Sequence, residues 1–496
     1  VRGFGSGPVL LRMDLRNMML PDSWHGSWSG LKAVVLGLGK SGFSVADTLV
    51  ELGVQTAVVG KAASPELVDL VGVIGARFYA SESPKVLSEL GFQPDFAVVS
   101  PGFSPRHPLV VELEQQGILV IGDIELAWRL RDKHDVVAKW IGVTGTNGKT
   151  TTSEMATAML LEAGKRAITC GNIGVPILDA IRDPIGFEYL VVELSSFQLH
   201  YLGQVSLHVA AFLNIAEDHL DWHGDFESYL KAKAKIYQNT AEFIVFNEQD
   251  PKTLLAAQQA EVAVGCRGIS FSLGAPPMSS VGYVEEFLVD RAFLNDRANS
   301  ALELCEIADI EQISPASSHL LANAAAAATI ARACGVEASF IKEAIRSFRL
   351  APHRAQFLGQ VNQVRFVNDS KATNAHAAEA SLGASDSIIW ILGGLLKGVN
   401  PEPLIIRHGA RLRGVVLLGV ETELLERLFS AHWPALPVFL AAKNDPMGSA
   451  VKLAVAISKP GDTVLLAPMA ASMDQFLDYA ERGDKFLEAV RKLGVK

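Results

Sequence analysis

Gly142–Thr151 reads GVTGTNGKTT, and the reading of this run decides the fold of the chain around it. Trp140-Ile141-Gly142-Val143, where it begins, has the character of a buried strand, and Ser153–Glu162 behind it has that of a helix. Strand, glycine loop and helix together let backbone N–H groups and a helix N-terminus cradle phosphate. The cradle comprises Gly145, Thr146, Asn147, Gly148, Lys149, Thr150 and Thr151. Lys149 can neutralise β/γ-phosphate charge, and Thr150 or Thr151 can ligate Mg²⁺. The generic phosphate-loop pattern would put glycine at 143, where this chain has Val143. The loop is therefore a variant of that pattern.

Similar units lie on either side. Leu31–Gly37 reads as a strand, followed by the loop GLGKSG (Gly37–Gly42) and a helix-like stretch at Val45–Leu52. Gln55–Val59 and Asp95–Ser100 are further strands, and this unit closes near Val136–Lys139. In the middle unit Tyr189–Glu193 and Val209–Leu213 are strands, and Ser314–Cys334 is an alanine-rich helix. A third unit from Ala351-Pro352-His353 holds strands at Val364–Asn368, Ile388–Leu392, Val415–Leu418 and Thr463–Ala467. The expected class is α/β with three β/α domains: a Rossmann-like N-terminal domain, a central phosphate-loop ATPase-type domain and a Rossmann-like C-terminal domain. The division is 1–30 (an extension expected to be poorly ordered), 31–138, 139–349 and 350–496.

Composition narrows the function. The chain has 496 residues, enough for about three domains. A formal net charge of -10 offers no basic nucleic-acid footprint. No apolar run reaches the ~20 residues of a membrane span. The four cysteines, Cys170, Cys266, Cys305 and Cys334, are too scattered for a metal set and suit reduced thiols in the cytoplasm.

Further chemistry clusters at strand ends. In GLGKSG, Leu38, Gly39, Lys40 and Ser41 can approach a pyrophosphate at a helix N-terminus. A nicotinamide enzyme would carry an acid about 20 residues on to hold the ribose; Val58-Val59-Gly60-Lys61 stands there, which argues against a dehydrogenase. Glu193 ends the run LVVE beside the phosphate loop and is a Mg²⁺ ligand candidate. NIAEDHLDWH (Asn214–His223) packs acids and histidines together. Its His219 and His223 have zinc spacing but no cysteine support, so His219 is read as the site residue. Lys231, Lys233 and Lys235 alternate along a helix. Two should be solvated, while one turned into a site would be kept neutral by burial and become reactive. NDSKATN (Asn368–Asn374), GGLLKG (Gly393–Gly398) and APMAAS (Ala467–Ser472) each follow a strand of the third unit.

GVTGTNGKTT, GNIG (Gly171–Gly174), ELSSFQL (Glu193–Leu199), LNIAEDHLDWH, APHR, NDSKATN and AASMDQF, in this order, resemble the Mur ligases of peptidoglycan synthesis, and among them the D-glutamate-adding branch. The family loop TGTNGKT accounts for Val143. The resemblance implies an ATP-dependent ligase joining D-glutamate to UDP-N-acetylmuramoyl-L-alanine, cytoplasmic and monomeric. It implies that Lys149 holds the β/γ-phosphates and that Thr150 and Glu193 serve one Mg²⁺. His219 would serve a second, with Lys233 as a CO₂-derived carbamate. Leu38–Ser41, Ser100, Asn172 and His219 would contact the UDP substrate. Asn323, Arg354, Asp369 and Lys371 would contact ATP. Thr373, Lys397, Ser472 and Tyr479 would receive D-glutamate. The catalytic group would be Lys149, His219, Lys233 and Lys371.

Three positions depart from the family pattern: Leu396 replaces an aspartate in the glycine loop, Leu320 replaces an asparagine, and Gly60-Lys61 replaces an acid near uracil. Two rival readings are a sibling or folylpolyglutamate-type ligase, and a nucleotide-dependent switch that ligates nothing.

Overall fold

The computed structural model describes residues 20–61, 63–314 and 317–494. They form two compact units, one of residues 20–215 with Leu230–Phe348, the other of Ala216–Tyr229 with the chain from Arg349. Two sheets lie in the first unit and one in the second. Of the expected N-terminal extension, residues 1–19 lie outside the described residues. Leu20 and Trp28 are buried, and the Trp28 ring meets Phe96 edge to face.

The first sheet comprises β1 (Lys32–Leu36), β2 (Gln55–Gly60), β3 (Arg77–Ala80), β4 (Phe96–Val99) and β5 (Leu119–Gly122), in the order β3-β2-β1-β4-β5. All its pairs are parallel. Strands covered on both faces read as unbroken apolar runs, as AVVL and FAVV do here. The order reverses between β1 and β4, and a crevice opens beyond the carboxyl ends at such a point.

The second sheet has nine strands: β6 (Lys139–Thr144), β7 (Ala167–Gly171), β8 (Tyr189–Glu193), β9 (Val209–Phe212), β10 (Phe243–Asn247), β11 (Arg267–Phe271), β12 (Ser280–Val284), β13 (Phe287–Asp290) and β14 (Leu302–Glu306). Their order is β14-β13-β12-β11-β10-β9-β6-β8-β7. The expected parallel pattern holds from β7 to β12, but β12-β13-β14 is an antiparallel extension. The alanine-rich helix spans Ser318–Ala333, and Ala324–Ala328 are all fully buried. Small side chains there let the helix pack closely.

The third sheet comprises β15 (Gln356–Val361), β16 (Val364–Asn368), β17 (Ile388–Gly393), β18 (Leu412–Leu418), β19 (Val438–Leu440) and β20 (Thr463–Leu466), in the order β15-β16-β20-β17-β18-β19. Only β15 runs antiparallel. Apolar clusters cover both faces, one around Trp390, Phe429 and Leu417, the other around Phe366, Val464 and Phe486.

Candidate active site

The phosphate loop leaves β6 and enters the helix Lys149–Glu162, which begins four residues earlier than its sequence suggests. Gly148 caps that helix at φ +81°, a left-handed conformation that side chains resist. A Cβ there would also lie 2.3 Å from Asn323 Oδ1, so glycine allows Asn323 to sit over the loop. Asn214 fixes the loop from the end of β9. Its carbonyl accepts from Thr146 N at 2.9 Å, its Oδ1 accepts from Asn147 N at 2.9 Å, and its Nδ2 donates to Asn147 O at 3.0 Å. Lys149 Nζ folds back onto the carbonyls of Gly145 and Thr146, both at 2.9 Å. The helix's first-turn N–H groups face the same end, which suits a bound anion.

Parallel register sets Glu193 beside Val143 and Gly171, at the root of this loop. Glu193 is 1% exposed. Its Oε1 accepts from Asn172 Nδ2 at 2.7 Å, whereas its Oε2 is buried without a hydrogen-bond partner among the described residues. A buried, unsatisfied carboxylate oxygen is costly unless something binds it. A hard divalent cation takes such an oxygen together with a hydroxyl, phosphate oxygens and water. Glu193 therefore fits a Mg²⁺ bound with a nucleotide at this loop. Among the described residues no cluster of three or more His, Cys, Asp or Glu forms an all-protein metal cage.

The three alternating lysines separate as their helix dictates. Lys233 is 2% exposed and donates to Gly145 O at 2.8 Å and to Thr144 Oγ1 at 3.3 Å, placing it beneath the phosphate loop. Lys231 is exposed. Lys235, expected to be solvated, is half-buried and donates to His200 O at 2.7 Å; burial lowers its pKa. Only Lys231 of the three is exposed, because the helix passes into a 3₁₀ turn at Lys235–Tyr237 in which Lys235 is half-buried.

In the first sheet GLGKSG becomes the turn into the helix Lys40–Glu51, with Gly37 at φ +97°. That helix starts at Lys40, five residues before the expected Val45. Ser100 closes on the turn: its Oγ donates to Gly37 O at 3.4 Å and would lie 2.9 Å from a Cβ on Gly37. Leu38 is buried, while Gly39 and Lys40 face solvent. Near the same strand ends Asp123 is buried and accepts from Gln198 Nε2 at 3.2 Å, which ties the first sheet to ELSSFQL. Gln198 also closes a capping box with Ser195. Burial pushes the Asp123 carboxyl up to about 6 against the pull of these donors.

The second unit gathers the remaining candidates. His219 adopts φ +53° and caps a single turn, Leu220–His223, so it and His223 do not share a face of one continuous helix. Beside it Asp218, 4% exposed, takes Lys397 Nζ at 2.5 Å and Asn374 Nδ2 at 3.1 Å. Burial alone would raise the Asp218 pKa, but the charges of Lys397 and His219 and the bonds from Lys397 and Asn374 hold it below its usual value. Lys397 itself has φ +58°. Its loop is pinned because Leu395 and Ala471 exchange two backbone bonds, each 2.9 Å, which draws the Lys397 and Ser472 loops together. Leu396 is 5% exposed within the apolar cluster around Trp390, and its N–H donates to Glu421 at 2.7 Å. The leucine is thus a core residue, and Glu421 supplies the carboxylate that orders this loop.

NDSKATN is held from the helix Tyr479–Arg491. Arg482, 1% exposed, donates to Ser370 Oγ, Ser370 O and Ala470 O at 2.9–3.1 Å. Asn368 Nδ2 donates to Gly483 O at 2.9 Å and to His353 Nδ1 at 3.0 Å. That leaves the proton on His353 Nε2, which points to Asp484 at 3.3 Å. Asp369 is buried, bonded to Ser381 Oγ and to Ala355 N at 3.1 Å; burial raises its pKa although Arg354 pulls the other way. Lys371 Nζ lies 3.8 Å from the centre of the Tyr479 ring, a cation–π contact. Thr373 follows in the same turn, its N–H on Lys371 O.

Sequence reasoning missed Asn214, Asp218, Glu421 and Arg482. Asn214 and Asp218 lay within a quoted motif and could have been found there. Glu421 and Arg482 carried no local signal, since each acts on a loop far away in sequence.

A lysine-bearing phosphate loop at the end of an interior parallel strand, in a chain of three α/β sheets, defines a nucleotide-using, multi-sheet α/β enzyme. The Mur ligase middle domain model matches residues 143–331, and the Mur ligase MurD-like N-terminal domain model matches 31–122. A UDP-N-acetylmuramoylalanine--D-glutamate ligase of Leifsonia xyli subsp. xyli is 51% identical, covering 95% of this chain and 94% of that one. One of Streptomyces avermitilis is 43% identical over 94% of this chain and 99% of its own length. The chain belongs to the Mur ligase family. Solved structures agree in fold: a pseudomurein peptide ligase type C from Methanothermus fervidus aligns with a TM-score of 0.57 at 16% identity, covering 94% of this chain and 100% of that one.

Proposed function

We propose that this chain is the ATP-dependent ligase that adds D-glutamate to UDP-N-acetylmuramoyl-L-alanine in peptidoglycan precursor synthesis, acting in the cytoplasm. The observation that carries the reading is the meeting of β6 and β8, where Glu193, with its unsatisfied buried oxygen, lies at the root of a lysine-bearing phosphate loop. Relatives at 43–51% identity named for this reaction support the substrate assignment.

The chemistry follows from the groups involved. A carboxylate resists attack by an amine because oxide is a poor leaving group. Transfer of the γ-phosphoryl group to the L-alanine carboxylate gives an acyl phosphate. The D-glutamate amine then attacks, a tetrahedral intermediate forms, and phosphate departs with the former carboxylate oxygen. Lys149 and the first-turn amides stabilise charge on the phosphates as the two anions meet. Mg²⁺, held by Thr150 and Glu193 and, for a second ion, by His219 and carbamylated Lys233, would supply Lewis-acid neutralisation of phosphate oxygens.

The other roles are equally proposals. Leu38–Ser41, Ser100, Asn172 and His219 bind the UDP substrate. Gly145–Thr151, Asn323, Arg354, Asp369 and Lys371 bind ATP. Thr373, Lys397, Ser472 and Tyr479 bind D-glutamate. Lys397 is suited to a carboxylate because it already holds one, Asp218.

The test is ADP formation with UDP-N-acetylmuramoyl-L-alanine while single amino acids are offered. Turnover with D-glutamate alone supports the assignment. Turnover with another amino acid points to a sibling ligase, and ADP formation indifferent to both co-substrates points to a switch. A carbamate resonance on Lys233 after ¹³C-bicarbonate labelling, absent in Lys233→Arg, tests the carbamylation.

A further inference from the structure

The first sheet lacks the acid that a nucleotide-binding sheet places at the end of its second strand to accept hydrogen bonds from the nucleoside. β2 ends instead at Gly60, followed by Lys61. A carboxylate nevertheless occupies that corner. Gly60 pairs with Ala80 across β2 and β3, and two residues beyond Ala80 the Glu82 side chain turns back over the end of β2. Its Oε1 accepts from Lys61 N at 3.3 Å. Its Oε2 lies 3.9 Å from His107 Nε2, in the segment after β4.

The surroundings fix this arrangement. His107 Nδ1 accepts from Leu109 N at 3.2 Å, so Nε2 carries the proton and presents it towards Glu82. The His107 ring packs on Phe103 at 4.8 Å, and Phe103 would lie 3.2 Å from a Cβ on Gly37. Glu82, His107, Phe103, Ser100 and the Gly37 turn thus ring the carboxyl ends of the central strands. Gly60 forms the floor, where a Cβ would lie 3.6 Å from Gly37 and Leu38, so the end of β2 and the glycine turn are in close contact. The Glu82 side chain is 36% exposed. A carboxylate accepts about four hydrogen bonds, so one backbone donor leaves capacity for a ligand.

We infer that Glu82, from the segment after the third strand, is the nucleoside-recognising carboxylate of this site, accepting from the ribose hydroxyls or the uracil N3–H of the UDP substrate. The inference rests on the functional reading above. An amide oxygen would serve the Lys61 N–H equally well, whereas a ligand hydroxyl or N–H bonds more strongly to a carboxylate than to a neutral amide oxygen.

The experiment is calorimetric binding of UDP to the full chain, wild type, Glu82→Gln and Glu82→Ala, with KM and kcat for UDP-N-acetylmuramoyl-L-alanine. Both variants should weaken UDP about tenfold or more, the scale of one hydrogen bond to a charged group, with KM raised, kcat kept and thermal unfolding unchanged. Offered to wild type, 2′,3′-dideoxyuridine diphosphate loses affinity if the ribose is the donor, and CDP loses it if the base is. Whichever analogue loses should lose nothing more in Glu82→Ala. UDP affinity in Glu82→Ala within about twofold of wild type overturns the inference and leaves the functional reading standing. So do both analogues binding wild type as UDP does. Wild type that turns over D-glutamate poorly and binds no UDP breaks the functional reading and the inference with it.

Discussion

The phosphate loop of the first unit and the loop cluster of the second are both strand-end turns around a lysine, yet they are built differently. The phosphate loop is held by its own Lys149, by Asn214 and by Lys233 beneath it, and the residues that shape it are consecutive. The loops Asn368–Asn374, Gly393–Gly398 and Ala467–Ser472 are held by side chains from elsewhere: Arg482, Glu421 and Asp218. A loop that grips a phosphate common to many reactions can be a self-contained motif. Loops that select one amino acid must set several side chains against each other, and that requires a scaffold.

The largest effect should come from breaking the first kind of loop at its charge. Lys149→Ala should lower kcat by about 10²–10³ while UDP-substrate affinity stays within error, since the lost term is transition-state charge stabilisation. Steady-state ADP release with calorimetric binding checks both halves. Equal losses in binding and rate would mean that the loop is merely structural.

Next comes the charge of the second kind of loop. Lys397→Ala removes the partner of a 94%-buried carboxylate side chain, Asp218, as well as the proposed D-glutamate ligand. It should raise the D-glutamate KM by about tenfold to a hundredfold and leave the ATP KM nearly unchanged. A matching rise in both constants would erase the contrast between the two regions.

A smaller effect is expected from the scaffold. Gly483→Ala would set a Cβ 2.3 Å from His353 Nδ1, displacing the ring that orients Asn368. Overpacking of this kind costs about 1–3 kcal/mol, seen as a lower Tm with a weakened D-glutamate response. The phosphate loop should keep its ATP affinity.

The smallest effect is confined to stability. Asp123 has a folded pKa of about 6, above its ordinary 3.8, because burial disfavours the anion. Its contribution is fully present below pH ~3.8 and is lost as pH rises through ~6. Asp123→Asn removes that loss, so its Tm should exceed that of wild type at pH 8 by more than at pH 5. A constant difference across pH would show that the carboxyl titrates normally.

The same contrast explains what could be read from the sequence. β8 and β16 match their expected bounds because LVVE and VRFVN end at polar residues that stop the apolar pattern. The helix after the phosphate loop starts at Lys149 rather than Ser153, since its run of threonines has weak helix propensity and the loop, not the composition, sets the start. β3 and β14 escaped notice because edge strands carry mixed polarity, and β12 and β13 because each is only four or five residues long and shows no clean alternation. Around the phosphate loop, the positions of Lys149 and Glu193 were legible from local pattern, whereas the pattern left Lys231, Lys233 and Lys235 open and only the resemblance singled out Lys233, which lies beneath the loop. Arg482 was not, because a buried guanidinium reaching Ser370 across 112 residues leaves no periodic trace.

The most direct test of the central claim follows oxygen. UDP-N-acetylmuramoyl-L-alanine carrying ¹⁸O in the L-alanine carboxylate should pass one labelled oxygen to inorganic phosphate for each D-glutamate joined. Phosphate released without label during full ligation would contradict the account.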